Sequence, residues 1–145
     1  MAENQGTPLP RKLGIKPGQR VAVVNGPVTF DAALGPLPSG VALDAAAAAA
    51  TAVDSGPYDV VVWFATTRRA LADAVAGAAA GLLTPAGGLW IGWPKRASGI
   101  ATEVDADVVR EMALPTGLVD NKICAIDDAW SGIRLVLRRE LRPRP

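Results

Sequence analysis

The sequence contains no histidine and a single cysteine, Cys124. One cysteine cannot close an intramolecular disulfide, and without imidazoles the commonest zinc and iron ligands are missing, so no metal site is expected. The same absence closes Ser-His-Asp and Cys-His catalysis, because both need a histidine as base. Excess charge is lacking too: 15 Lys and Arg against 14 Asp and Glu leave a net +1. There is no global basic field to draw the chain onto nucleic acid or an anionic membrane. The longest strongly apolar stretch without a charge, Val60 to Thr67, falls far short of the roughly 20 residues that span a bilayer. Met1 to Pro10 is polar and lacks the apolar core of a signal peptide, so a cytoplasmic location is expected. No P-loop pattern occurs, and Gly26, Gly87, Gly88 and Gly92 lack the spacing of a dinucleotide fingerprint. No resident cofactor is expected.

What is present suits one globular unit. At 145 residues, half of them apolar and about a fifth charged, the chain can bury a core without disulfides or metals. A single domain over 1–145 is expected, with flexible ends at about 1–9 and 140–145, the latter basic and proline-rich.

The apolar runs alternate with helical patterns, which predicts an α/β domain: a three-layer, Rossmann-like, mostly parallel sheet of about six strands, the last antiparallel, with helices on both faces. Val21 to Val24 reads as a first strand, closed by the turn Asn25-Gly26-Pro27, with a short helix over Phe30 to Leu34. Gly40 to Leu43 is a weak second strand, after which Asp44 caps an alanine-rich helix through Val53 or the alanines are mere compositional bias. Asp59 to Ala65 carries β-branched and aromatic residues without polar alternation and is expected at the sheet centre. Thr66 or Thr67 then caps a helix over Arg68 to Leu83 with Leu71, Val75, Ala78, Ala79 and Leu82 on its apolar stripe and Arg69, Asp73 and Gly77 off it. Pro85 to Gly88 ends that unit, and Leu89 to Trp93 is the next strand, joined by a βαβ crossover. Thr102 with Asp105 resembles a capping box opening a helix that Gly117 stops. Lys122 to Ile126 and Gly132 to Arg138 form an antiparallel pair.

In an open α/β sheet, ligands bind beyond the carboxyl ends of the parallel strands. The loops at that rim are Asn25 to Pro27, Thr66 to Arg68, Trp93 to Ser98 and Asp127 to Ser131. They supply the candidate ligand-binding residues Asn25, Thr66, Thr67, Arg68, Trp93, Lys95, Ser98, Asp127, Trp130 and Ser131. Helix amides, hydroxyls and the cations Arg68, Lys95 and Arg96 are what a phosphate or carboxylate requires. In the ordinary reading, the threonines are caps, the cations are solvated, and Trp93 and Trp130 close the core ends. Trp63 and Trp90 are core residues, Cys124 is a buried small hydrophobe, and adjacent Asp127 and Asp128 face different ways, which makes them poor partners for Mg²⁺.

Leu13-Gly14-Ile15-Lys16-Pro17-Gly18, Trp93-Pro94-Lys95 with Ala97-Ser98-Gly99, Gly117-Leu118-Val119-Asp120 and Trp130-Ser131-Gly132 resemble the recurring segments of a bacterial family of short proteins of unknown function. The resemblance runs from about Pro8 to Leu141 and implies no established activity. More distantly, the order of strands, the final hairpin and Pro85 to Trp90 look like the Rossmann-like methyltransferases. That likeness implies a cofactor site built on a glycine-rich loop after the first strand and an acidic residue ending the second. Here the loop is Asn25-Gly26-Pro27, where proline removes an amide, and Asp44 is the acidic candidate. The expected function is a non-catalytic binding or regulatory module for a small anionic ligand or a protein partner. A methyltransferase-like enzyme with an altered cofactor loop and an oligomeric structural protein, which includes a homodimer, are the alternatives.

Overall fold

Val60-Val61-Val62-Trp63-Phe64 has both faces buried, and this run forms the centre of the sheet. The computed structural model describes residues 7–47 and 55–142. Its strands are β1 (Arg20–Val24), β2 (Ala42–Ala47), β3 (Tyr58–Phe64), β4 (Leu83–Pro94), β5 (Leu118–Ala125) and β6 (Trp130–Leu137). They form one six-stranded sheet in the order β2-β1-β3-β4-β6-β5. The first four run parallel, while β6 is antiparallel to both of its neighbours.

Helices cover both faces. On one side α1 (Leu9–Lys12) and α2 (Phe30–Leu34) bury Leu9, Phe30 and Leu34 against Val21, Val23, Val60, Val62, Phe64 and Trp90. On the other, α3 (Arg68–Gly77) and α4 (Ala106–Ala113) bury Leu71, Ala74, Val75, Val109 and Ala113 against Val61, Trp63, Leu89, Ile91 and Trp93. This is the expected three-layer arrangement. No helix among the described residues is long and apolar enough to cross a membrane.

Several local expectations are corrected. Asp44 caps no helix: Ala42 to Asp44 pair with Arg20 to Ala22, and the strand continues to Ala47. The open edge of β1 offers a parallel ladder, and that pairing outweighs the helix propensity of alanine. The rest of the alanine-rich segment, 48–54, lies outside the described residues. Pro85 to Gly88 does not end the crossover but lies within β4, where the register against β3 jumps from Leu83 at Tyr58 to Gly88 at Val60. The extra residues form a bulge, which accommodates a proline that cannot donate to the ladder. A Cβ on Gly87 would meet the carbonyl oxygens of Tyr58 and Asp59 at 3.0 and 3.1 Å, so the two backbones approach closely there.

The helix after β3 widens into a π turn at Ala78–Leu82 and breaks at Gly81, whose φ is 105°. Ala74 and Gly77 therefore lie buried where Ala79 was expected. Asp105, not Thr102, caps α4, its carboxylate accepting from the Val108 amide at 2.9 Å. Thr102 accepts instead from the Val104 amide within the preceding loop. β5 begins at Leu118, before the expected Lys122, and Cys124 on this edge strand is half-buried rather than fully enclosed. Leu9 opens α1 and is 7% exposed.

Candidate functional site

Register alone brings the four rim loops together. Val24 pairs with Trp63, Phe64 with Gly92, and Pro94 with Trp130, so the chain leaves β1, β3 and β4 and enters β6 at one edge. Backbone bonds then join the loops. The Lys95 amide donates to the Ala129 carbonyl at 2.8 Å, Ala65 to Gly92 at 2.9 Å and Glu103 to Thr66 at 2.8 Å. Asn25, at φ 58°, places its side-chain amide 3.5 Å from the Phe64 carbonyl.

Much of the rim's polar chemistry is already engaged. Thr67 caps α3 by accepting from the Ala70 amide at 3.1 Å. The Arg68 amide, where an anion would bind the helix start, donates to the Glu103 carboxylate at 2.8 Å. That carboxylate is itself an anion at a helix N-terminus, supplied by the chain. The Arg68 guanidinium pairs with Glu111 at 3.6 Å. Ser98 donates to the Lys95 carbonyl and accepts from the Ile100 amide, and Asp127 accepts from the amides of Ala129 and Trp130.

The two indoles lie on opposite faces. Trp93, paired with Ser131, belongs to the core under α3 and α4; Trp130 packs edge-to-face on Phe64 at 5.2 Å, under α2. Each is 8% exposed, so both close the ends of the core. The candidate residues therefore share an edge without converging on one pocket. The open cleft at this edge, about 560 Å³, is lined by Trp93, Pro94, Arg96, Ile100, Glu103 and Asp105 among others. Of the candidates only Trp93 lines it. The role of Glu103 was not legible, because it meets Arg68 across 35 residues of chain. Lys95 and Arg96 have no side-chain hydrogen bond or ion pair among the described residues, which leaves these two cations open to a ligand at the rim.

The fold is shared with solved structures. TrmN from Thermus thermophilus superposes with a TM-score of 0.56 at 18% identity, over 90% of this chain and 47% of its own. Fibrillarin from Aeropyrum pernix, in complex with natively bound S-adenosyl-L-methionine, gives 0.56 at 14% identity, over 88% and 73%. A SAM-dependent methyltransferase from Aquifex aeolicus gives 0.56 at 13% identity, over 86% and 85%. The chain spans about half the length of TrmN. At these identities the likeness is one of fold. No curated protein matches the sequence. Residues 46–139 match the family described as "Protein of unknown function (DUF3052)".

Proposed function

We propose that this chain, which belongs to the DUF3052 family of proteins of unknown function, is a non-catalytic binding or regulatory module that takes a small anion at the carboxyl rim of a methyltransferase-type sheet. The observation that carries this reading is the pair of cations Lys95 and Arg96. They follow Trp93-Pro94 directly and have no anionic partner among the described residues, while the neighbouring hydroxyls and carboxylates are held within their own loops. A guanidinium lining an open cleft, with an ammonium on the preceding residue, suits a phosphate or carboxylate. A cytoplasmic location is part of the same proposal.

A second reading, an S-adenosyl-dependent enzyme, is favoured by the fold shared with a fibrillarin that holds S-adenosyl-L-methionine. Two local features put it second. After β1, a Cβ on Gly26 would meet Val23 Cγ1 at 2.9 Å, so this glycine serves close packing, and Pro27 has no amide to offer. Asp44 stands opposite Ala22 within β2, not at the strand's carboxyl end, and accepts from the Tyr58 hydroxyl at 3.3 Å.

The test is thermal unfolding with inorganic phosphate, small carboxylates and S-adenosyl-L-methionine. A ligand present at 100 times its Kd stabilises by about 2.7 kcal/mol, which raises Tm by several degrees. The expected result is a shift with an anion that is lost in Lys95→Ala and Arg96→Ala, and no shift with S-adenosyl-L-methionine. A shift with the latter reverses the order of the two readings. No shift with any of them removes the small-anion reading and leaves a protein partner.

A further inference from the structure

The edge of the sheet opposite the rim carries a second concavity, of about 360 Å³. It lies between the loop after α1, the starts of β1, β3 and β4, and the β5-β6 hairpin. Lys12, Lys16, Lys122 and Arg134 line it together with one carboxylate, Asp59. That carboxylate is already engaged: its oxygens accept from the Arg20 amide at 2.9 Å and the Thr84 hydroxyl at 3.2 Å. The cavity therefore carries a local excess of positive charge in a chain whose net charge is only +1.

Arg134 is the central group. On β6 it pairs with Trp90 on one side and Lys122 on the other, which turns its side chain to the α1 face. The guanidinium lies over Gly88, where an added Cβ would come within 2.7 Å of Cζ and 2.8 Å of Nη2. Glycine at this position thus makes room for the arginine against the β4 backbone. Arg134 is half-buried, and burial together with nearby Arg142 lowers its pKa below the ordinary guanidinium value. It nevertheless has no hydrogen bond or ion pair among the described residues. Its five N–H donors line the open cavity with no acceptor among the described residues, so an anion there would gain charge-assisted hydrogen bonds without breaking an internal contact.

The surrounding groups are held in place. The Trp90 indole donates to the Leu13 carbonyl at 3.0 Å, tying the end of α1 to the sheet as one wall. Lys122 donates to the Lys12 carbonyl at 2.9 Å, and Lys12 to the Ala125 carbonyl at 2.7 Å. An ammonium has three donors, so one carbonyl leaves Lys122 capacity for a ligand.

The geometry points to a phosphate-binding site: a small phosphorylated metabolite with its phosphate on Arg134 and Lys122. A guanidinium fork beside an ammonium matches the several terminal oxygens of a phosphate, and the local cation excess suits a dianion better than a single carboxylate. The volume sits at the lower end of the roughly 300–1,000 Å³ usual for small-molecule pockets, which fits a molecule the size of a sugar phosphate. None of the residues lining this cavity lines the cleft at the rim.

The experiment is calorimetric titration of the full chain at low salt with inorganic phosphate, pyrophosphate and ribose 5-phosphate. Saturable binding is expected, weakened about tenfold or more by Arg134→Gln and several-fold by Lys122→Ala, as loss of a charge-assisted hydrogen bond implies. The titration is repeated in the Lys95→Ala, Arg96→Ala background, which removes binding at the rim; the binding that remains there is expected to depend on Arg134 and Lys122. Tighter binding of ribose 5-phosphate than of phosphate identifies a phosphate ester as the ligand; the reverse order identifies the free anion. Absence of saturable binding, or binding unaltered by Arg134→Gln, overturns the site. Should Arg134→Gln fail to fold, unaltered binding in Lys122→Ala overturns it instead.

Discussion

Two buried tryptophans illustrate what a single residue contributes. Trp63 and Trp90 are 1% and 0% exposed, yet among the described residues the Trp90 indole N–H has a partner and Trp63 Nε1 has none. Trp90→Phe removes volume and also leaves the Leu13 carbonyl without its donor. Trp63→Phe removes volume together with a donor that burial had stranded. Trp90→Phe should therefore destabilise by about 1–2 kcal/mol more than Trp63→Phe, measured as urea midpoints. Equal costs would mean that the indole bond is worth nothing net. Both residues were legible as core from their apolar strands. Which one is bonded was not, because Leu13 lies 77 positions from Trp90.

At the scale of elements, patterns confined to a short stretch of chain carried over well. The buried run of β3, the helix at Phe30 to Leu34 and the cap at Thr67 depend on neighbours in sequence. What failed depended on distant partners: Asp44 joins a strand because β1 has an open edge, and Pro85 is tolerated because β4 bulges against β3. The helix starts make the same distinction testable. Thr67 and Asp105 each satisfy one amide of the first turn, so Thr67→Ala and Asp105→Ala should each cost about 1 kcal/mol. Glu103 acts on α3 from another part of the chain, and Glu103→Ala should cost about 0.3–1 kcal/mol, shrinking as salt screens the charge at this exposed position. A cost for Glu103→Ala that is the same in low and high salt would exclude the electrostatic role.

Over the whole molecule, the rim was legible because strand direction alone fixes which loops share an edge. The cationic cavity was not, because Lys12, Lys16, Lys122 and Arg134 meet only through the topology of the sheet. Composition does set one global property, the dependence of stability on pH. With no histidine in the chain, side-chain titration near neutrality is largely absent, so stability should be nearly flat from about pH 5.5 to 8. Above that range two groups act together. Burial raises the Cys124 thiol from its ordinary 9.0, against the opposing charges of Lys12 and Lys122. Burial, aided by the Asp44 carboxylate, raises the Tyr58 phenol from 10.0. In both cases the unfolded chain loses its proton first, so the native state binds more protons over this interval. Their contribution is therefore complete below the ordinary values and is lost as pH rises through the folded ones. Urea midpoints should hold level through neutrality and fall from about pH 9 upward, with a shallower fall in Tyr58→Phe and in Cys124→Ala. A step between pH 6 and 7 would contradict this account. An alkaline limb unchanged in both variants would assign the loss to other groups.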